Sequence, residues 1–297
     1  MLGFEFKIIE FLQQFRSPFV DQFFLFLNIF DTKIFYLSFI TLIWVGYNYK
    51  LGIKIFLILM LSFFVNDLLK AIFMLPRPYI IDPQLTIIKL SNYGFPSGAA
   101  QSAVLIPLIL ISYFKGKKWP KIVGINFFFW ISLSRMYLGV HFLSDLIGGW
   151  IVGSILFLIY YYIFPIFEKK IQSPKHAAFA FWIYQLALLP LLFVPKTGYI
   201  VFSLLGIFLG LYLSKVYKTF LPNPKNFKEL FIRTMIALIG VLLIPDLLKM
   251  LHQKLSFIDF NIGLFGMYLA ALWLSFSSSY LYKLLIKNKT IKTLIQK

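Results

Sequence analysis

Cysteine is absent from the 297 residues. That excludes disulfides, a thiolate nucleophile and a thiolate metal site. Acidic residues are scarce: 11 aspartates and glutamates stand against 29 lysines and arginines, a formal net charge of +18, and there are only 3 histidines. What fills the chain instead is apolar. It is 60% hydrophobic and 20% aromatic, with a mean hydropathy of +0.83. No soluble domain has use for that much apolar surface, so the bilayer is the expected solvent and partner. In a soluble protein the basic excess would point to nucleic acid. Here the basic residues sit between apolar runs and form no basic-aromatic patch, so nucleic acid is not an expected partner. Residues 1–11 carry Glu5 and no small-residue cleavage site, and are not expected to be a cleaved signal peptide.

Apolar periodicity and its interruptions predict an all-α, polytopic helical bundle. Residues 4–30 read as one or two amphipathic or half-inserted helices, broken by Lys7, Glu10, Arg16 and Asp21. Spans are expected at 33–49, 51–74, 97–114, 121–138, 143–165, 178–195, 198–217, 229–251 and 260–285, about nine in all at the length a bilayer requires. Alternation of these spans puts the loops at 50–54, 115–121, 169–175 and 215–228, and the tail from 283, on one side. Most of the lysines lie there, so that side is expected to be cytoplasmic. The N-terminus and the loops around Arg77 and His141 then face outward, which in a bacterium is the periplasmic side. The linker 166–177 divides the chain into halves, 1–165 and 178–297. The second half carries few polar residues in its spans. Asp246 beside Lys249 reads as a local salt bridge, and His176 and His252 read as interfacial residues.

Three stretches carry chemistry. In Ser134-Arg135-(five residues)-His141-(three residues)-Asp145, His141 and Asp145 share a helix face and can hydrogen-bond. A carboxylate on one ring nitrogen leaves the other aimed outward as base or nucleophile. Arg135 brings a planar donor fork suited to phosphate. Such groups are costly in a membrane, and clustering them there points to a working site. Lys70 and Arg77 end the second span, where Pro76 and Pro78 break the helix and turn Arg77 into the loop. Pro96-Ser97-Gly98 is a tight turn running into a helix start, where exposed amides, a hydroxyl and the dipole end favour an anion. Together the three read as a phosphate pocket with a nucleophile.

The ordered pattern Lys70-(six residues)-Arg77-Pro78, Pro96-Ser97-Gly98 and Ser134-Arg135-(five residues)-His141-(three residues)-Asp145 resembles the type 2 phosphatidic acid phosphatase superfamily, integral membrane lipid phosphatases whose pocket is shared with vanadium haloperoxidases. The resemblance covers roughly 30–165. It implies a phosphatase-like membrane core, taken over 1–165 with an N-terminal amphipathic segment, and leaves the four-span region over 178–297 outside the match. It further implies that Lys70, Arg77 and Arg135 hold the phosphate oxygens, with Ser97 and the Gly98 amide completing the cradle. His141 would attack phosphorus to give a phosphohistidine, and Asp145 would orient it. No metal or other cofactor is needed in this scheme, because the cations neutralise transition-state charge. The implied substrate is a lipid phosphate or diphosphate, and no oligomeric state follows.

One position departs from the pattern. The family has histidine after Pro-Ser-Gly, and that histidine is the general acid for the leaving oxygen. Here Ala99 stands there and has no proton to give. General acid catalysis is typically worth about 10²–10⁴-fold, so turnover is expected to be lost or limited at this position. Three explanations are open: an engineered substitution, a natural variant whose diphosphate substrate leaves without help, and a family member that binds lipid phosphate without efficient turnover. Two function classes follow. One is a phosphatase or lipid phosphotransferase, and the other is a non-catalytic lipid-phosphate binder or transporter.

Overall fold

The computed structural model describes residues 2–166, 198–255 and 262–287. The expected span at 178–195, His176 and most of the linker and tail lie outside these residues. Among the described residues every regular element is helical and none is a strand. Five stretches are long and apolar enough to cross a membrane: Tyr49–Ile81, Leu143–Ile166, Gly198–Val216, Phe227–His252 and Ile262–Lys287. Pro18–Asp31 and Lys33–Tyr47 together would make a sixth, bent by 56° at their junction. This is an integral membrane protein with an all-helical, multispan fold. The expected spans 51–74, 143–165, 198–217, 229–251 and 260–285 fall on these five, whereas 33–49 passes only as part of the bent pair, 97–114 falls on the shorter Gly98–Tyr113 helix, and 121–138 falls on a helix, Trp119–Tyr137, that is not among them.

The chain forms two compact units, one of Met1–Tyr36 with Leu57–Ile166, the other of Leu37–Phe56 with the residues from Phe167 on. In the first unit, α1 (Leu2–Gln13) and α2 (Pro18–Leu27) precede a short 3₁₀ turn, Asn28–Asp31. Ser17 caps α2 by accepting from the Val20 amide at 3.3 Å, and Pro18 occupies the first turn, where its missing N–H costs nothing. α3 (Lys33–Thr41) follows, and then α4 (Tyr49–Phe73), which ends where Met74 turns left-handed at φ 48° ahead of Pro76. A short α5 (Pro78–Ile81) leads through an irregular loop to α6 (Gly98–Tyr113), α7 (Trp119–Tyr137) and α8 (Leu143–Leu158).

α6 packs against both α7 and α8. Gly149 and Gly153, one turn apart on α8, allow the closest approach. A Cβ would stand 2.5 Å from the Ser97 carbonyl oxygen at the first and 2.5 Å from that of Gln101 at the second. Small residues let helix backbones meet where lipid supplies no hydrophobic drive. This contact fixes the start of α6 against the start of α8.

The second unit contains α9 (Gly198–Val216), α10 (Phe227–Leu255), α11 (Ile262–Leu272) and α12 (Ser278–Lys287). The segment Leu37–Phe56 belongs with it, whereas the sequence halves put that segment in the core. Side-chain contacts account for the difference: Asn48 donates to Asn223 at 2.9 Å, Tyr49 stacks on Phe220 at 4.5 Å, and Gly46 faces the Thr234 hydroxyl. Lys249 and Asp246 form a loose, exposed pair at 4.0 Å on α10, the local ion pair expected there.

Candidate active site

The expected site residues come from four places in the first unit. Lys70 lies in the last turn of α4, Arg77 in the break before α5, Ser97 at the cap of α6, and Arg135, His141 and Asp145 in and around the turn from α7 to α8. All six are buried.

The turn after α7 decides where His141 points. Gly139 sits at φ +68°, and a Cβ there would be 1.9 Å from the Leu85 carbonyl oxygen, so only glycine fits. The amides of Val140 and His141 then fold back onto the Arg135 carbonyl at 3.1 and 3.3 Å. His141 Nδ1 meets Asp145 Oδ2 at 3.1 Å, and the same oxygen accepts the Phe142 amide at 3.0 Å. Asp145 therefore closes the first turn of α8 and fixes the imidazole at once. The Asp145 carbonyl accepts the Ser97 amide at 2.9 Å, which ties the α6 cap to this turn. Ser97 Oγ itself receives the Ala100 amide at 3.4 Å.

Arg77 favours one tautomer. Its Nη1 lies 3.0 Å from His141 Nε2 and 2.7 Å from the Val140 carbonyl oxygen. A guanidinium can only donate, so this contact favours the tautomer with a lone pair on Nε2 and the proton on Nδ1 toward Asp145, while the Gly94 backbone, also in contact with the ring, favours the protonated form. In that tautomer the unprotonated nitrogen is the one facing the cations. Burial, reinforced by Arg77, Lys70 and Arg135, holds the imidazole well below its ordinary range, so it is neutral at pH 7. Arg77 also donates to the Asn92 carbonyl at 2.7 Å and to Asn92 Oδ1 at 2.5 Å. Lys70 Nζ donates to the carbonyls of Tyr93 at 2.7 Å and Gly94 at 3.0 Å.

Arg135 is wholly buried and more occupied than a pure phosphate clamp. Its Nε donates to Ser134 Oγ at 3.1 Å, and Nη1 donates to Asn28 Oδ1 at 2.9 Å and Asp31 Oδ2 at 3.2 Å. Nη2 has no partner at all. A buried guanidinium nitrogen without an acceptor is costly, and this one is open to an oxygen of water or of a ligand. Ala99 does not face a polar void. It is buried in a cluster with Phe24, Leu27, Tyr79, Ala103 and Tyr137. Gly98 abuts Asn66, whose amide donates to the Pro96 carbonyl at 3.2 Å and to Gln101 Oε1 at 3.1 Å. Among the described residues no three His, Asp or Glu side chains gather as a metal cluster would.

Residues 51–169 match the PAP2 superfamily. That stretch is similar to a PAP2 domain. Its relatives include the undecaprenyl-diphosphatase of Sulfolobus acidocaldarius, 32% identical over 114 residues, which are 35% of this chain and 51% of that one. A dihydrosphingosine 1-phosphate phosphatase of Saccharomyces cerevisiae is 29% identical over 158 residues, 48% of this chain and 38% of that one. Phosphatidylglycerophosphatase B of Bacillus subtilis is 35% identical over 78 residues, 23% and 38% of the two chains. The chain spans about half or less of the length of these curated relatives. A solved transmembrane PAP2 type phosphatidylglycerolphosphate phosphatase from Bacillus subtilis aligns at 23% identity with a TM-score of 0.48, covering 58% of this chain and 88% of that one.

The PAP2 motifs do not mark every polar residue at the site. Asn28, Asp31 and Asn92 take part and belong to none of the three stretches. The available signal for Asp31 was an ionisable residue in an otherwise apolar run. A cavity of about 370 Å³ opens elsewhere, at the other end of α6, between Lys115, Lys121 and Tyr161.

Proposed function

We propose that this protein is a metal-independent membrane lipid phosphatase that cleaves a phosphomonoester or diphosphate through a phosphohistidine on His141. One observation carries the reading. The lone pair of His141 Nε2 faces the guanidinium of Arg77, while Nδ1 is tied to Asp145, in a site with three buried cations. A phosphate that takes the open Nη2 of Arg135 and the donors of Arg77 and Lys70 has its charge neutralised before reaction. Nε2 then attacks phosphorus, the Nδ1 proton stays on Asp145's hydrogen bond, and the bond to the leaving oxygen breaks in line. Water attack on the phosphohistidine completes the cycle. Ser97 and the start of α6 hold the turn against Asp145.

Position 99 supplies no proton, so a leaving phosphate from a diphosphate is the easy case and a lipid alkoxide needs a donor from elsewhere. The same apolar position favours a second reading, a lipid-phosphate binder, transporter or phosphotransferase on this scaffold. The lysine distribution supports a bacterial plasma membrane orientation with the site outside and the C-terminus in the cytoplasm. Residues 1–165 would be the catalytic region, with 178–297 shaping lipid access or assembly and carrying no catalytic group.

Phosphate release from lipid monophosphates and an isoprenyl diphosphate tests this. His141→Ala is expected to lower release by at least about 10³-fold with the protein still monodisperse. Equal release from that variant would end the phosphatase reading. Saturable binding of lipid phosphate with no release from any substrate would select the binder.

A further inference from the structure

A lipid alkoxide leaving near pH 7 needs a proton, and the structure places a carboxyl group, that of Asp31, on the buried Arg135. Ala99, Ser102 and Ala103 share one face of α6 by their three- and four-residue spacing. α2 lays Phe24 and Leu27 into the cluster that buries Ala99, and the 3₁₀ turn that follows brings Asn28 and Asp31 to Arg135. Tyr36 lies beside both Asp31 and Ser102, the latter one turn along from Ala99. The segment that fills the space at position 99 therefore also delivers an acid, held by Tyr36 and Arg135. The side chain of Asp31 keeps a quarter of its surface exposed, unlike that of Asp145 at 3%. Asp145 is committed to the imidazole, so Asp31 is the carboxyl free to exchange a proton with an incoming group.

We propose that Asp31 is the general acid and base of this site, in place of a side chain at position 99. The proposal rests on the phosphatase reading above. In the free protein Asp31 is the carboxylate partner of Arg135. A lipid monophosphate arriving as its monoanion brings one proton on a phosphate oxygen. Its other oxygens engage Arg135, and the proton passes to Asp31. His141 Nε2 then forms the N–P bond, the P–O bond to the lipid breaks, and the departing electron pair takes the proton from Asp31 to give the lipid alcohol. In the second half, water oxygen attacks phosphorus and gives a proton to Asp31. The N–P electron pair returns to Nε2, and inorganic phosphate leaves with the proton.

The test is leaving-group dependence in Asp31→Asn, which keeps an oxygen for Arg135 and Tyr36 but has no acidic proton. Full-length protein in lipid nanodiscs is assayed on a short-chain phosphatidate, p-nitrophenyl phosphate and farnesyl diphosphate. kcat/KM on phosphatidate is expected to fall about 10²-fold or more, and on the other two by less than about fivefold. Asp31→Glu retains phosphatidate activity. Ala99→His added to Asp31→Asn restores it, while Ala99→His alone gains little. An equal fall on all three substrates would mean that Asp31 only anchors Arg135 and would overturn the proposal, as would an unchanged phosphatidate rate. A wild-type protein that releases phosphate from none of the three would overturn the phosphatase reading and this proposal with it.

Discussion

Arg77 in the first unit and Arg233 in the second are both buried arginines, with 3% and 2% of their surface exposed. Their partners differ. Arg233 is paired with the Glu229 carboxylate one helical turn away, reaches the Pro222 carbonyl at 2.6 Å, and stacks over the Tyr282 ring. Glu229 is itself satisfied by the Lys225 amide at 2.8 Å and the Tyr282 hydroxyl at 2.9 Å. That cluster is nearly neutral, leaves Arg233 Nε without a partner, and pins the loop before α10. Arg77 touches two carbonyls, an amide oxygen and a neutral imidazole, and Lys70 touches carbonyls only. The Asp31 and Asp145 carboxylates reach Arg77 and Lys70 by longer-range attraction rather than through a carboxylate one turn along the same helix. A buried cation whose close partners are carbonyls keeps more of its charge available to an incoming anion than one locked to a carboxylate.

The largest contrast is expected on removing each arginine. Arg77→Gln should lower phosphate release by about 10²–10³-fold, with a smaller loss of stability than Arg233→Gln because no carboxylate one turn away is stranded. Arg233→Gln strands the Glu229 carboxylate and should cost about 3–5 kcal/mol of stability, while protein that remains folded keeps its turnover. Matching losses of stability in the two variants, with matching activities, would erase the distinction.

A smaller effect is expected from an anion alone. Inorganic phosphate at 100 times its dissociation constant should stabilise the wild type by about 2.7 kcal/mol. Arg135→Lys loses the guanidinium fork and its unpaired Nη2, so most of that stabilisation should vanish in a thermal-shift measurement. A full shift retained in Arg135→Lys would take the open nitrogen out of the anion site.

The smallest effect concerns pH. His141 is held below its ordinary value near 6.5 by burial, then by Arg77, Lys70 and Arg135. The unfolded chain therefore takes up its proton before the folded one does. The contribution of His141 is intact above about pH 6.5 and is lost as pH falls below it toward the folded value. The stability difference between wild type and His141→Asn should narrow on acidification over that window. A difference independent of pH from 7 to 5 would mean that His141 titrates normally.

Much of this site was legible because its chemistry sits in short motifs. Lys70, Arg77, Ser97, Arg135, His141 and Asp145 could be named from spacing, since proline breaks, a helix cap and an i,i+4 pair are local properties of the chain. Asp31 and Asn28 were not, because their role depends on a partner more than a hundred residues away, which no periodicity encodes. The apolar runs located the helices but not their irregularities. The wide turns at Leu42–Tyr47, Ile159–Ile163 and Trp273–Ser277 continue apolar sequence without a break, so hydropathy passes through them unchanged. The grouping of Leu37–Phe56 with the second unit was equally hidden, because it is set by Asn223, Phe220 and Thr234, far along the chain.

α1 and α2 are made well before the residues they contact, and this has a consequence for biosynthesis. Glu5 accepts the Ser144 amide at 2.7 Å, Gln13 donates to the Leu85 and Tyr137 carbonyls, and Asp31 meets Arg135. These partners lie 72 to 139 residues downstream. At about 5–20 residues per second, a ribosome keeps α1 and α2 waiting for roughly 4–30 s before those groups emerge. Throughout that interval Asp31 has no arginine and Glu5 no helix end to cap, so neither segment can settle at its final depth. α1 and α2 are therefore held in place only once the turn between α7 and α8 has been made, so the candidate site and the segment that covers it are completed together.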